Sequence, residues 1–283
     1  MPFEAYKIYQ EYEEPDKYKT STQKKVEQAL DTAKKEGLVP ETKEARVEFE
    51  EAREIFGPDF LGPEAVEATF GVELSQEELG QIESIPFTRE ELEQAKKLGM
   101  MLVLRVPRVG KDKAAKPLTI KQLRGVFKGE DKLGDPKKKK SKIFFDQNWY
   151  NKEDFATKAT PSLGWGLVTK KILEESRSKN LDQQNEILKK WAQNNGIDPA
   201  QVKRRTPVEI AYDTLLYYGT NKESLLENTW DWTEVQSSDG NFVFVGGFDS
   251  GGLNAIAAVP ATARTRLSAS APLGSFVLGA WSS

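Results

Sequence analysis

The stretch NTWDWTEVQSSDGNFVFVGGFDSGGL, residues 228–253, decides the fold that this sequence predicts. Two strand-like runs, Trp230–Thr233 and Phe242–Val245, stand on either side of Ser238-Asp239-Gly240-Asn241. Asp-Gly between two such runs is a good signal for a β-hairpin. We therefore expect two antiparallel strands here, with their tryptophans in the core rather than in contact with a ligand.

The residues before this hairpin alternate between strand-like and helical patterns. The continuous apolar run Met100–Val106 is typical of a buried strand, and Ile143–Phe145 and Trp165–Val168 are shorter strand-like runs. Helical patterns cover residues 119–127, 171–194 and 206–226, and a Thr206–Glu209 capping box opens the last of them. Strands separated by helices, with the last strands close together along the chain, predict an α+β domain.

Residues 1–98 differ from the rest in charge and pattern. Residues 1–99 hold 24 acidic and 13 basic side chains, whereas the remainder holds 20 acidic and 28 basic side chains and all six tryptophans. Short helices are expected at about 20–37, 43–56, 63–70 and 88–98, the last opened by a Thr88–Glu91 capping box. We predict an acidic helical region over 1–98 and a second domain over 99–283. The acidity indicates a solvated surface, or a docking site for a basic partner.

The composition removes many kinds of chemistry. The chain has no cysteine and no histidine, so thiolate and imidazole nucleophiles, bases and metal ligands are excluded. It also lacks a glycine-rich phosphate loop. We therefore expect a protein that is not an enzyme, that has no cofactor and to which no metal ligands are assigned; whether a structural metal is bound stays open. The alternative is a carboxylate-dependent enzyme that binds magnesium or calcium through residues such as Asp146, Asp231, Asp239 and Asp249.

The sequence predicts a cytoplasmic protein without a membrane span. Its first residues lack the pattern of a signal peptide, and it contains no apolar run of about 18 residues. Export by a route without a cleavable signal stays open. The net charge of −3 favours neither nucleic acid nor membrane, and the lysines at 137–140 indicate a solvated loop. No nucleic-acid partner is expected.

The last thirty residues have an unusual composition. From Asn254 onward the only charged residues are Arg264 and Arg266. Residues 254–267 show neither helical nor strand periodicity, which is typical of a flexible tail or of a long loop. Pro260, Leu267 and the apolar residues near Trp281 favour a loop held at both ends by core strands, as in many binding surfaces.

Two motifs resemble known families. Asn228-Thr229-Trp230-Asp231-Trp232-Thr233 resembles the Asn-Val-Trp-Glu-Trp-Thr signature of formylglycine-generating-enzyme-like proteins, a branch of the C-type lectin fold. Residues 245–253 with Pro260, Arg264 and Leu267 resemble the carboxy-terminal pattern of variable proteins encoded by diversity-generating retroelements. The resemblance implies an α+β, C-type-lectin-like domain over 99–283 with a variable ligand-binding region at about 247–271.

The resemblance also implies a function: recognition through a hypervariable surface that a retroelement diversifies by adenine-directed mutagenesis. The partner would be an unknown protein or surface ligand, with partner docking or self-docking through the amino-terminal helices as a further expectation. The formylglycine-generating activity needs paired cysteines, which this chain lacks. The positions implied to vary and to bind ligand are Asn254, Ile256, Ala257, Ala258, Val259, Ala261, Thr262, Ala263, Thr265 and Arg266.

Four positions depart from the family pattern: Gly247, Ala255, Ala261 and Ser268. Ser268 stands where the family has glycine and leaves the alignment after Leu267 open. A constant structural or docking protein with a lectin-like domain is therefore kept as the alternative to a diversified binder.

Overall fold

The computed structural model describes residues 47–110, 115–127, 143–145, 147–177, 179–249 and 251–258, and the backbone of residues 276–279. The chain divides into two compact units, Met1–Ala45 and Arg46–Ser283. The first unit, with the helix predicted at 20–37, lies outside the described residues. All of the described residues belong to the second unit.

The helices of the second unit confirm most of the predicted ones. They are α1 (Phe49–Phe56), α2 (Pro63–Phe70), α3 (Gln76–Ile82), α4 (Arg89–Lys97), α5 (Ile120–Val126), α6 (Asp154–Thr157), α7 (Leu181–Asn194) and α8 (Pro207–Asn221). The predicted capping boxes at Thr88 and Thr206 are both present. In each, the threonine hydroxyl accepts from the third helical N–H and the glutamate side chain accepts from the threonine N–H.

Three predicted helices have different bounds in the structure. The helix expected at 43–56 begins at Phe49, since Glu48 before it has an extended backbone. The helix expected at 171–194 begins at Leu181, because the Asn180 side chain accepts a hydrogen bond from the Gln183 N–H and caps it. A single 3₁₀ turn, Glu174–Ser176, lies before that cap.

The helix expected at 206–226 ends at Asn221, since Lys222 has a left-handed backbone with φ 60°.

The strands form three separate sheets, so the described chain is an α+β structure, as predicted. They are β1 (Phe60–Leu61), β2 (Met100–Arg105), β3 (Arg108–Val109), β4 (Lys116–Pro117), β5 (Gly164–Thr169), β6 (Val202–Arg204), β7 (Trp230–Gln236), β8 (Phe242–Asp249), β9 (Gly252–Ala258) and β10 (Phe276–Gly279). Ile143–Phe145, expected as a strand, instead makes an isolated parallel bridge between Phe144 and Leu253.

The largest sheet has the strand order β1-β2-β5-β10-β6. Strand β2 pairs in parallel with β1 and antiparallel with β5, and all six of its residues are buried. Burial on both faces explains why β2 is a continuous apolar run instead of an alternating one. Strand β10 completes the sheet between β5 and β6, pairing antiparallel with both.

The second major sheet contains the hairpin that the sequence predicts. Strands β7 and β8 pair antiparallel, and β9 pairs antiparallel with β8 to give the order β7-β8-β9. In the turn, the Ser237 hydroxyl donates to the Asn241 carbonyl at 2.9 Å. A two-stranded sheet of β3 and β4 is the third.

Helices α1 to α4 belong to the same compact unit as the strands, although a boundary is expected near residue 98 from the sequence. Buried side chains from both sides of that position form one hydrophobic core. The Trp165 indole donates to the Ile82 carbonyl at 3.0 Å, and the Arg108 guanidinium donates to both carboxylate oxygens of Glu78 at 2.9 and 2.5 Å. Those bonds from Arg108 lower the pKa of Glu78 to about 2. The division of the structure falls instead between Ala45 and Arg46.

A buried charged network joins the two main sheets through helix α8. Asp213, which is completely buried, accepts from Arg105 Nε at 2.9 Å and Nη2 at 2.6 Å, and from Arg205 Nη1 at 2.7 Å. Arg105 also donates to Glu209, and Arg205 donates to Asp231 at 2.6 Å. Burial alone would lower the pKa of Arg105, but the charges of Asp213 and Glu209 outweigh it and raise the pKa. The network therefore runs from β2 through α8 to β7.

Within the described ranges, no helix is both long enough and apolar enough to cross a membrane.

Candidate ligand-binding face

Strand β9 carries the first four of the ten positions that the sequence implies for ligand binding. Asn254, Ile256, Ala257 and Ala258 all lie on it, and each is partly exposed. The sequence indicates a loop from residue 254 onward, but β9 extends to Ala258. The structure therefore corrects the expected start of the loop. The other six positions lie outside the described residues: Val259, Ala261, Thr262, Ala263, Thr265 and Arg266.

The alternation of a strand distributes the four positions over both faces of the sheet. Ala255 is buried in the main hydrophobic core, as are Val243 and Val245 beside it on β8. Residues one position away point to the opposite face. Asn254, Ile256 and Ala258 therefore share one face, which we call the outer face, and Ala257 shares the inner face with Ala255.

The outer face is built on an aromatic cluster separate from the main core. Trp232 and Phe244 are buried there with ring centroids 4.8 Å apart. Ile256 and Ala258 pack against this pair as partly buried residues, together with Leu181, Trp230 and Phe242. Substitutions at Ile256 and Ala258 would therefore change the partly exposed surface beside the buried Trp232–Phe244 pair.

Two buried polar atoms of this sheet have no hydrogen-bond partner among the described residues. They are the Asn254 side-chain oxygen, an acceptor, and the Trp232 indole nitrogen, a donor. A buried polar atom without a partner costs roughly 1–3 kcal/mol. Both residues lie on strands of the candidate sheet. The sheet therefore carries one hydrogen-bond acceptor and one hydrogen-bond donor that no described residue satisfies.

The edge of β9 that faces away from β8 is contacted by two residues with exposed aromatic side chains, which no sequence pattern assigns to this site. Phe145 is 45% exposed and its N–H donates to the Leu253 carbonyl at 3.0 Å. Trp149 is 39% exposed and its indole donates to the Ala255 carbonyl at 2.9 Å. Both residues are distant from β9 in sequence, so no local pattern could place them beside it.

The hairpin turn of this sheet is held by helix α6. The Glu153 carboxylate, at the start of that helix, accepts from the Ser238 N–H at 2.8 Å and from its hydroxyl at 2.7 Å. The turn between β7 and β8 is therefore fixed to α6. This turn lies at the opposite end of the β7 and β8 pairing from Gly246.

The start of β7 approaches the backbone of β8 closely at Gly246. An ideal Cβ on Gly246 would lie 2.2 Å from the Thr229 carbonyl oxygen and 2.7 Å from Trp230 Cα. Gly247, with φ 59°, donates its N–H to the same Thr229 carbonyl at 2.9 Å. The register between β8 and β9 shifts between Gly246 and Asp249. The Gly-Gly pair thus lies at an irregularity within β8, before the chain turns between Asp249 and Gly252 into β9.

Three of the four carboxylates considered for a metal-dependent enzyme have hydrogen-bond partners within the protein. Asp231 binds Arg205 in the buried network, and Asp249 accepts from the Gly251 N–H at 2.7 Å. Asp239 accepts hydrogen bonds from Ser237 and Asn241, which lower its pKa. Asp146 is outside the described residues. Among the described residues, no three carboxylates lie close enough together to hold a metal ion.

Comparison with known proteins adds nothing to this geometry. The chain matches no protein-family model, no curated protein and no solved structure.

Proposed function

We propose that this protein is a non-enzymatic recognition protein that presents a diversified ligand-binding face on a C-type-lectin-like domain. The binding residues begin on the outer face of β9 and continue into residues 259–266. The diversity would come from a retroelement, as the motif resemblance implies. The ligand would be a protein or a surface component held through the variable side chains.

The observation that carries this proposal is the position of β9. Strand β9 lies at the edge of the three-stranded sheet, and its outer-face residues are partly exposed. The other two strands, β7 and β8, are held in place by buried side chains. A rigid scaffold with adaptable residues at its edge is the usual arrangement of a binding surface. Asn254, Ile256 and Ala258 can change in size and polarity while Val243 and Phe244 keep the strand in place.

The composition of the strand supports recognition rather than catalysis. Residues 252–258 contain no charged side chain, and the nearby carboxylates serve turns or the buried network. Contacts from a few changed side chains are worth enough to alter specificity, since the few dominant residues of an interface each contribute about 2 kcal/mol or more. The amino-terminal helices remain a proposed docking region.

A display library tests whether the face tolerates variation. In one library, Asn254, Ile256, Ala257 and Ala258 are randomised; in the control library, four neighbouring residues of β2, 101–104, are randomised. We expect most members of the first library to resist protease and few members of the second, because the β2 side chains are fully buried. Folded members of the first library are then selected for binding to unrelated protein targets.

Equal loss of protease resistance in the two libraries would contradict the proposal, because the face would then be structural. A tolerant library that yields no binder to any target would also count against recognition through these four positions.

A further inference from the structure

Two adjacent arginines, Arg204 and Arg205, contact the same edge strand of the candidate sheet in different ways. Arg204 Nη1 donates to the backbone carbonyl of Trp232 at 3.0 Å. Arg205 Nη2 donates to the side chain of Asp231, the neighbouring residue on β7, at 2.6 Å. Both arginine side chains are almost completely buried. Strand β7 is therefore bound by consecutive guanidinium groups at consecutive residues.

Each arginine also binds a different helix. Arg204 Nε donates to Asn185 at 2.8 Å and Nη2 to Gln184 at 3.2 Å, both on α7. Arg205 Nη1 donates to Asp213 on α8 at 2.7 Å. The pair thus fixes β7 to two helices at once. The planar, multiply donating guanidinium group suits this use, because one side chain can bind two elements in a fixed geometry.

The backbone at Arg204 adds a third connection. Arg204 is the last residue of β6 and pairs with Phe276, the first residue of β10. Residues 259–275 run from the end of β9 at Ala258 to that same residue. One arginine therefore pairs through its backbone with the strand at the far end of the candidate binding segment. Through its side chain it binds the sheet in which that segment begins.

We propose that Arg204 and Arg205 are positioning residues for the candidate binding face. They hold the three-stranded sheet, and so β9, at a fixed place relative to β10 while the outer-face side chains change. The purpose of this arrangement rests on the function proposed above. The physical claim, that the pair selectively orders the β7-β8-β9 sheet, can be measured without any ligand.

Amide hydrogen exchange tests this claim on the full chain. The variants are Arg204→Gln, Arg205→Gln and the control Arg89→Gln, whose arginine makes only exposed ion pairs with Glu51 and Glu93 among the described residues. We expect amides of β7, β8 and β9 to exchange at least about tenfold faster in the first two variants, relative to any change in β2 and β5. The control should leave both sheets unchanged.

Uniform acceleration in both main sheets would overturn the proposal, since the arginines would then contribute only to global stability. Unchanged exchange in β7 to β9 would overturn it as well. Where Arg205→Gln does not fold, Arg204→Gln carries the comparison. Its hydrogen-bond partners Gln184, Asn185 and the Trp232 carbonyl are uncharged, and its ion pair with Glu234 is long, at 3.9 Å, with a mostly exposed carboxylate. Neither result depends on binding, so failure here is distinguishable from failure of the proposed function.

Discussion

Replacing Asp213 with asparagine is expected to destabilise the protein by about 3–5 kcal/mol, the usual cost of breaking a buried ion pair from one side. The carboxylate accepts three hydrogen bonds from Arg105 and Arg205 and is completely buried. An asparagine side chain at this position would have the same shape without the charge, and its amide group would face guanidinium donors. The two buried arginines would then lose the carboxylate that they share. We expect the melting temperature to fall by about 10 °C.

The matched control for this variant is Asp154→Asn. Asp154 forms an ion pair with Lys158 in which both side chains are about three-quarters exposed. Such pairs contribute about 0.2–1 kcal/mol, so this variant should melt close to the parent protein. If Asp213→Asn and Asp154→Asn lower the melting temperature equally, the buried network does not join the sheets as described.

The second large effect is expected for Gly246→Ala. The added methyl group would lie 2.2 Å from the Thr229 carbonyl oxygen, a backbone atom that cannot move by rotating a side chain. Strand β7 or β8 must therefore shift, at a cost of about 3 kcal/mol or more. Chemical denaturation measures this loss as a lower midpoint.

Gly80→Ala provides a control of opposite sign. Gly80 lies on the exposed side of α3, where a Cβ would contact nothing within 4 Å. Alanine there should stabilise the protein by roughly 0.5–1 kcal/mol through its better helix propensity. A tolerated Gly246→Ala, with a midpoint near that of the parent, would contradict the close approach of β7 to Gly246.

Patterns of neighbouring residues predict the helices and strands that depend mainly on residues close together in the chain. The apolar run of β2, the Asp-Gly hairpin of β7 and β8 and the capping boxes at Thr88 and Thr206 are all present. A similar box at Ser75 opens α3, a helix that is not among those expected from the sequence although the same signal marks its start. The boundary expected near residue 98 rests on charge, whereas buried side chains from both sides of that position form one hydrophobic core.

The candidate site was less accessible to sequence reasoning. The sequence does not predict β9 from Asn254 to Ala258, because alanine occurs on both of its faces. Ala255 and Ala257 lie on the inner face and Ala258 lies on the outer face, which conceals the alternation. Long-range partners have no local pattern either, since pairs such as Arg105 and Asp213 are more than a hundred residues apart. Only the folded chain brings Trp149 beside β9.

The most direct measurement of the central claim is deep sequencing of this gene, with its neighbouring DNA, across a population of its source. Substitutions are counted codon by codon over residues 228–270. We predict that they concentrate between Asn254 and Arg266, at adenines of a nearby, nearly identical template copy, while Trp230 to Thr233 stays constant. A stretch from Asn254 to Arg266 as constant as those hairpin residues would contradict diversification and leave a docking protein of fixed specificity.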